Sequence, residues 1–178
     1  EQIRAMTTSK KGIKRHPCLR PLSRDHLIAL MGAQRLMKAS KAEIELEVGL
    51  SFFETVWTNE ISQHLLDEER ILPEFIKSEE DREKLFADHE KLREFQKRLA
   101  QRDEILEESQ KELAGEAGQF LDDHVRWEER YLFPSIENSN SGEEIERLLA
   151  LTEAVEKQRQ RSKACEPRKR TKKYKRPQ

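Results

Sequence analysis

Residues 63–75 read QHLLDEERILPEF and residues 123–137 read DHVRWEERYLFPSIE. Both contain a histidine, three residues, Glu-Glu-Arg, then a short apolar run and a proline. On an α-helix, residues i and i+4 lie one turn apart on the same face. Glu68 therefore sits beside His64, and Glu128 beside His124. Around the first pair, Phe53, Val56, Trp57, Ile61, Leu65 and Leu72 recur at three-four spacing. Around the second, Leu113, Ala117, Phe120, Leu121, Trp127 and Leu132 do the same. Each His-Glu pair thus falls on the stripe that a helix buries. Pro73 and Pro134 are expected to end the two helices just beyond it.

The repetition extends upstream. DHLIALMGAQRL (25–36) aligns with DHEKLREFQKRL (88–99), sharing Asp-His at the start and Arg-Leu at the end. The unit is a helix pair present twice, whose faces are buried only against its copy. A first helix is expected from a Ser23 cap, with Leu22, His26, Ala29, Leu30, Ala33 and Leu36 or Met37 inward. A second should run over 47–72. Ser78 followed by Asp81 signals the start of a third, which carries Leu85, Phe86, His89, Leu92, Phe95 and Leu99. A fourth runs from near Asp103 to Phe133. Ser141-Gly142-Glu143-Glu144 is a capping box for a fifth, ending near Arg161. The expected fold is all-α: an up-down four-helix bundle with a short extra C-terminal helix and a basic tail. The expected division is an arm over 1–21, the bundle over 22–137, the C-terminal helix over 138–161, and a disordered tail over 162–178.

Composition agrees with helices. Of 178 residues, 39% are charged and 35% hydrophobic, with six Gly and six Pro. No segment resembles a membrane span, and no signal peptide is recognisable. Cys18 and Cys165 form no metal or disulfide pattern, which reads as free thiols in a reducing, cytoplasmic setting. The net charge of −1 hides an asymmetry. Residues 157–178 hold eleven Lys or Arg and one acid, a net of +10, so the remainder carries −11. That tail could meet nucleic acid or an anionic surface, or fold back on the acidic body.

Four of the five histidines, His26, His64, His89 and His124, fall on the apolar stripes, one per helix. A single such histidine is usually a hydrogen-bonded core residue. Four of them need four buried partners, which the stripes do not offer, and shared cations would satisfy them together. Glu68 and Glu128 also face inward, where a carboxylate must be paired or bound to metal. Arg70 and Arg130 are the competing partners for these two acids. Glu69 and Glu129 point elsewhere, as surface or outlying support. Two metals fit the donor count best, each taking two histidines, with both carboxylates bridging to offset the repulsion between cations. Mixed imidazole and carboxylate donors suit iron, with manganese or zinc less favoured. His16, in the arm, is not expected to be a ligand.

These residues resemble the haemerythrin-like family, also called HHE cation-binding domains. The resemblance covers residues 16–137. It rests on the order His26, His64-x-x-x-Glu68, His89, His124-x-x-x-Glu128, and on HPCLRPLSRDH, VWTNEISQHLLDEERILPEF and LDDHVRWEERYLFPSIE. It implies a four-helix bundle with a non-haem di-iron centre. Family members bind dioxygen, sense oxygen, iron or redox state, or handle nitric oxide and peroxide. In one respect the chain departs from the oxygen carriers, which have a second histidine one turn from the third-helix ligand. Here the flanking residues are Arg93 and Leu85, which argues against simple oxygen transport. Glu60, one turn before His64, is the candidate extra ligand. Tyr131 is a candidate pocket residue, with ordinary packing as the plainer role, and Trp57 and Trp127 are candidate walls.

Three functions are then open. The first is a di-iron domain that binds or senses dioxygen, iron or redox state. The second is a di-iron enzyme acting on peroxide, nitric oxide or oxygen. The third is a nucleic-acid-associated regulator working through the basic tail. Ferritin-like oxidases use Glu-x-x-His and four carboxylates. The order here is His-x-x-x-Glu with two carboxylates, which favours binding over iron oxidation.

Overall fold

A computed structural model describes residues 15–159, and within them the chain is helical, with no strand. A 3₁₀ turn at Pro17–Leu19 leads into α1 (Arg20–Ser40). α2 (Leu46–Val56), a π-helical turn (Trp57–Ile61) and α3 (Ser62–Ile71) form one continuous rod. α4 spans Glu79–Ala100. α5 (Glu107–Trp127), a second π turn (Glu128–Leu132) and α6 (Phe133–Ser139) form another rod, and α7 covers Gly142–Gln158. No helix among the described residues is long and apolar enough to cross a membrane.

Several boundaries follow from local chemistry. Ser78 Oγ accepts from Asp81 N at 3.2 Å, and Ser141 forms the full reciprocal capping box with Glu144. α1 begins at Arg20, ahead of Ser23, because Pro21 suits the first helical turn, where no N–H is needed. α5 begins at Glu107, later than Asp103, which lies in a 3₁₀ turn over Arg102–Glu104. The α1 exit uses Ala42 at φ 56°, with Glu43 N bonded to Lys38 O at 2.9 Å. Glycine normally fills such a left-handed closing position. Ala42→Gly should therefore raise stability by about 1 kcal/mol, read from a denaturant midpoint; an unchanged or lower midpoint counts against that strain.

Pro134 does not end its helix, contrary to expectation. The π turn shifts hydrogen bonding to i+5, as Phe133 N bonds Glu128 O. In that register the next donor, to Glu129 O, would be Pro134, which has no N–H. Arg15 Nη2 fills the gap, donating to Glu129 O at 2.5 Å. Pro73 does close α3, within a 3₁₀ turn at Leu72–Glu74.

Two apolar clusters form the core. One holds Ala33, Leu36, Phe53, Trp57, Leu65, Leu92 and Leu121; the other holds Leu22, Leu72, Phe75, Leu85, Leu132 and Phe133. On each rod the interior His and Glu positions lie between members of the two. Leu22, His26 and Ala29 follow one another on α1, and Leu85, His89 and Leu92 on α4. The interior polar residues therefore form a layer between apolar ends. Part of the expected arm joins this core: Cys18 and Leu19 are fully buried, and Thr152 of α7 donates to Cys18 O at 2.8 Å. Burial pushes the Cys18 thiol up to about 11, so it stays protonated at neutral pH. The basic tail beyond Arg159 and Cys165 lie outside the described residues.

α1 packs tightly on α5 at Gly118, where an added Cβ would fall 2.8 Å from Ala33 O and 3.0 Å from Leu36 Cβ. Both neighbours belong to the core, so neither has room to move. Gly118→Val should destabilise the fold by roughly 3 kcal/mol. A thermal midpoint within a degree of the unaltered chain would refute the close approach.

Candidate metal centre

The polar layer is built from six side chains that the rods bring to one place. His26 comes from α1, His64 and Glu68 from α3, His89 from α4, His124 from α5, and Glu128 opens the second π turn. All six are at most 4% exposed. Their donor atoms fall into two groups, each with all atoms within 4.8 Å of one another: His26, His64, Glu68 and Glu128, and Glu68, His89, His124 and Glu128. Both carboxylates belong to both groups. His26 Nε2 lies 3.1 Å from Glu128 Oε2, and His64 Nε2 3.2 Å from Glu68 Oε1. His89 Nε2 lies 3.5 Å from Glu68 Oε2, and His124 Nε2 3.4 Å from Glu128 Oε1. Arg70, the competing partner for Glu68, turns instead to Asp67 at 3.1 Å.

The other ring nitrogens face outward onto a second set of carboxylates. Glu129 Oε1 is 2.6 Å from His26 Nδ1, and Glu69 Oε1 is 3.0 Å from His89 Nδ1. Asp25 Oδ2 is 3.4 Å from His64 Nδ1, and Asp88 Oδ2 is 3.1 Å from His124 Nδ1. The pattern follows the repeat. Each Asp of an Asp-His pair serves the histidine of its own copy, and the second Glu of each Glu-Glu pair serves the other copy. Glu69 and Glu129 are thus tied to the site rather than free at the surface. Asp25 and Asp88 were missed from sequence, although the repeated Asp-His dipeptide was the available signal.

Electrostatics follow from this crowding. Burial works against charge on His26, but the adjacent carboxylates of Glu128, Glu129 and Glu68 outweigh it and raise its pKa well above the usual value. His89 is likewise opposed by burial, yet Glu128 and Glu68 raise it to about 10. Burial disfavours ionised Glu68, but the surrounding imidazoles, His64 first, hold it well below the usual range. Glu128 is also lowered, against burial and the nearby Glu68 charge, by His124, His26 and His89. Glu129, despite burial, is lowered to about 2 by His26, Ser23 and Arg15.

The remaining candidates fall elsewhere. Glu60 belongs to neither donor group among the described residues. It lines a surface cavity of about 290 Å³ with Gln63, Asp67, Arg70 and Arg159. The π turn explains this: it spends one more residue per turn, so position 60 leaves the face that an unbroken α-helix would share with His64. Tyr131 is 54% exposed and stacks on Trp127 at 6.4 Å rather than facing the layer. Trp57 is packed in the first cluster beside Phe53, and Trp127 borders the second under Lys84 Nζ. His16 caps the first 3₁₀ turn, its Nδ1 accepting from Cys18 N at 3.3 Å.

A helical protein with two histidine–glutamate groups sharing their carboxylates defines a class of cation-binding bundles. This chain belongs to the family of the hemerythrin HHE cation binding domain, whose model matches residues 80–172. The matched span takes in His89, His124 and Glu128. His26, His64 and Glu68 precede it and are tied to it by the internal repeat. No curated protein matches the chain, and no solved structure does.

Proposed function

We propose that the protein holds two iron ions as a non-haem di-iron centre in an up-down four-helix bundle, and binds or senses dioxygen, iron or redox state there. The bundle reading is supported by the way successive rods run alternately between the two apolar clusters. One observation carries the metal reading. The Nε2 atoms of His26, His64, His89 and His124, and both carboxylate oxygens of Glu68 and Glu128, are buried without a hydrogen-bond partner. Each such atom costs about 1–3 kcal/mol, and native proteins rarely leave them clustered. Two cations would satisfy all eight.

The residues fit such ions. His26 and His64 would hold one, His89 and His124 the other, and Glu68 and Glu128 both. Imidazole with carboxylate suits iron, and manganese or zinc take second place. When bound, a pair of ferrous ions supplies two electrons to a small ligand such as dioxygen. The chain itself does the rest. Glu129, Glu69 and Asp88, hydrogen-bonded to Nδ1 of His26, His89 and His124, orient those rings and favour a proton on Nδ1, which leaves Nε2 free to donate, while Asp25 stands 3.4 Å from His64 Nδ1. Phe133, stacked on His26 at 5.4 Å, and the two apolar clusters keep water from the layer.

The direct test is metal content with an absorption spectrum before and after air exposure. Two irons per chain, with ferric bands that appear in air, is the expected result; protein purified without chelators that carries no transition metal overturns the proposal. Titration of the reduced protein with oxidant then separates a binder, which stops at stoichiometry, from an enzyme, which consumes the excess.

A further inference from the structure

Behind each outer carboxylate stands a cation. Arg15 Nη2 is 2.6 Å from Glu129 Oε2, and Glu129 serves His26; Arg15 Nη1 also reaches Glu137 Oε1 at 3.2 Å. Arg159 pairs with Asp25, which serves His64, and also reaches Asp67 at 2.8 Å. Arg93 is 2.8 Å from Glu69, which serves His89. Lys84 is 2.6 Å from Asp88, which serves His124. Four chains of cation, carboxylate and imidazole therefore converge on the polar layer.

The inner donors of the two groups are matched: two imidazoles each, and the same two carboxylates. The outer cations are not. Arg15 and Arg159 come from segments flanking the repeat, and their side chains are 5% and 16% exposed. Arg93 and Lys84 lie on α4 itself, one turn from His89 and Asp88, and are 40% and 43% exposed. Solvent and salt screen the second pair far more than the first. A cation behind a carboxylate weakens its pull on the imidazole N–H and so lowers the basicity of the donor nitrogen. It also repels positive charge in the layer directly. Both effects of the cation disfavour the higher metal charge, while Glu137 beside Arg15 and the buried Asp67 beside Arg159 oppose them, so the four cations differ in how much the removal of each changes the layer.

We infer that Arg15 and Arg159 are positioning residues that hold the His26–His64 position towards its lower oxidation state, each more strongly than Arg93 or Lys84 does at the His89–His124 position. The inference rests on the di-iron reading above and adds to it a control of potential from outside the ligand set.

The test is a redox titration of the iron-loaded full chain, followed by absorption and Mössbauer spectra, with metal content measured on the same samples. Arg159→Ala should lower one of the two one-electron steps by about tenfold, or about 59 mV, and Arg159→Lys should restore most of it. Arg93→Ala should move either step far less. With two irons retained, an equal response to Arg159→Ala and Arg93→Ala overturns the inference, as does no shift in Arg159→Ala. If Arg159→Ala loses iron, Arg15→Ala takes its place in the same comparison, with the same outcomes deciding. Absence of iron from the unaltered protein refutes the di-iron reading itself, a result the metal analysis separates from the others.

Discussion

In the proposed two-metal centre, Glu68→Ala is expected to remove both cations together, whereas His64→Ala should weaken one position more than the other. The asymmetry follows from sharing. Glu68 offers an oxygen to each donor group, while His64 belongs to one. Losing Glu68 also leaves a single carboxylate to offset the mutual repulsion of two cations in a low-dielectric layer. Substituting a mere supporting partner of a ligand costs about 10–100-fold in metal affinity, so losing a shared donor should cost at least about 100-fold at both positions. Metal content after gel filtration, with helical circular dichroism as the folding control, reads the result. Loss of one equivalent from folded Glu68→Ala would show that the carboxylate is not shared.

The second large effect is a loss of pH dependence on metal loading. In metal-free protein His89 is held up to about 10 by Glu128 and Glu68 against its burial. A histidine with a raised pKa contributes stability that is complete below its unfolded value, about 6.5. That contribution is lost as pH climbs to about 10. His26 shifts in the same direction. The metal-free chain should therefore lose stability from pH 6.5 upward. Cations must displace the protons on these two rings. Their affinity should thus rise about 100-fold per pH unit while both remain protonated, adding about 2.7 kcal/mol of stabilisation per unit at excess metal. Thermal midpoints between pH 6.5 and 8, with and without a divalent cation, should diverge steadily. Parallel curves would mean that metal and protons do not compete for the same nitrogens.

The limits of sequence reading show at particular residues. Ser78 and Ser141 were legible as caps because a cap is a contact over three residues of chain. Pro134 was misread as a stop because a single proline says nothing about a π turn before it, nor about Arg15, 119 residues away, supplying the missing donor. Glu60 falls outside both donor groups for a related reason. Face assignments assume 3.6 residues per turn, and one wider turn moves everything on its far side.

The amino-acid sequence by itself determined that four helices would each bury a histidine, and that Glu68 and Glu128 would lie beside two of them. Helical periodicity is a property of the local backbone, and these residues sit on the apolar stripe whatever the stripe packs against. Only the tertiary structure decided which carboxylate meets which ring, that Glu69 and Glu129 cross to the opposite copy, and that Arg15 and Arg159 close two of the four chains. Those pairings depend on how the rods cross and in what register, and that is set by close contacts such as Gly118 against Ala33, between residues far apart in the chain.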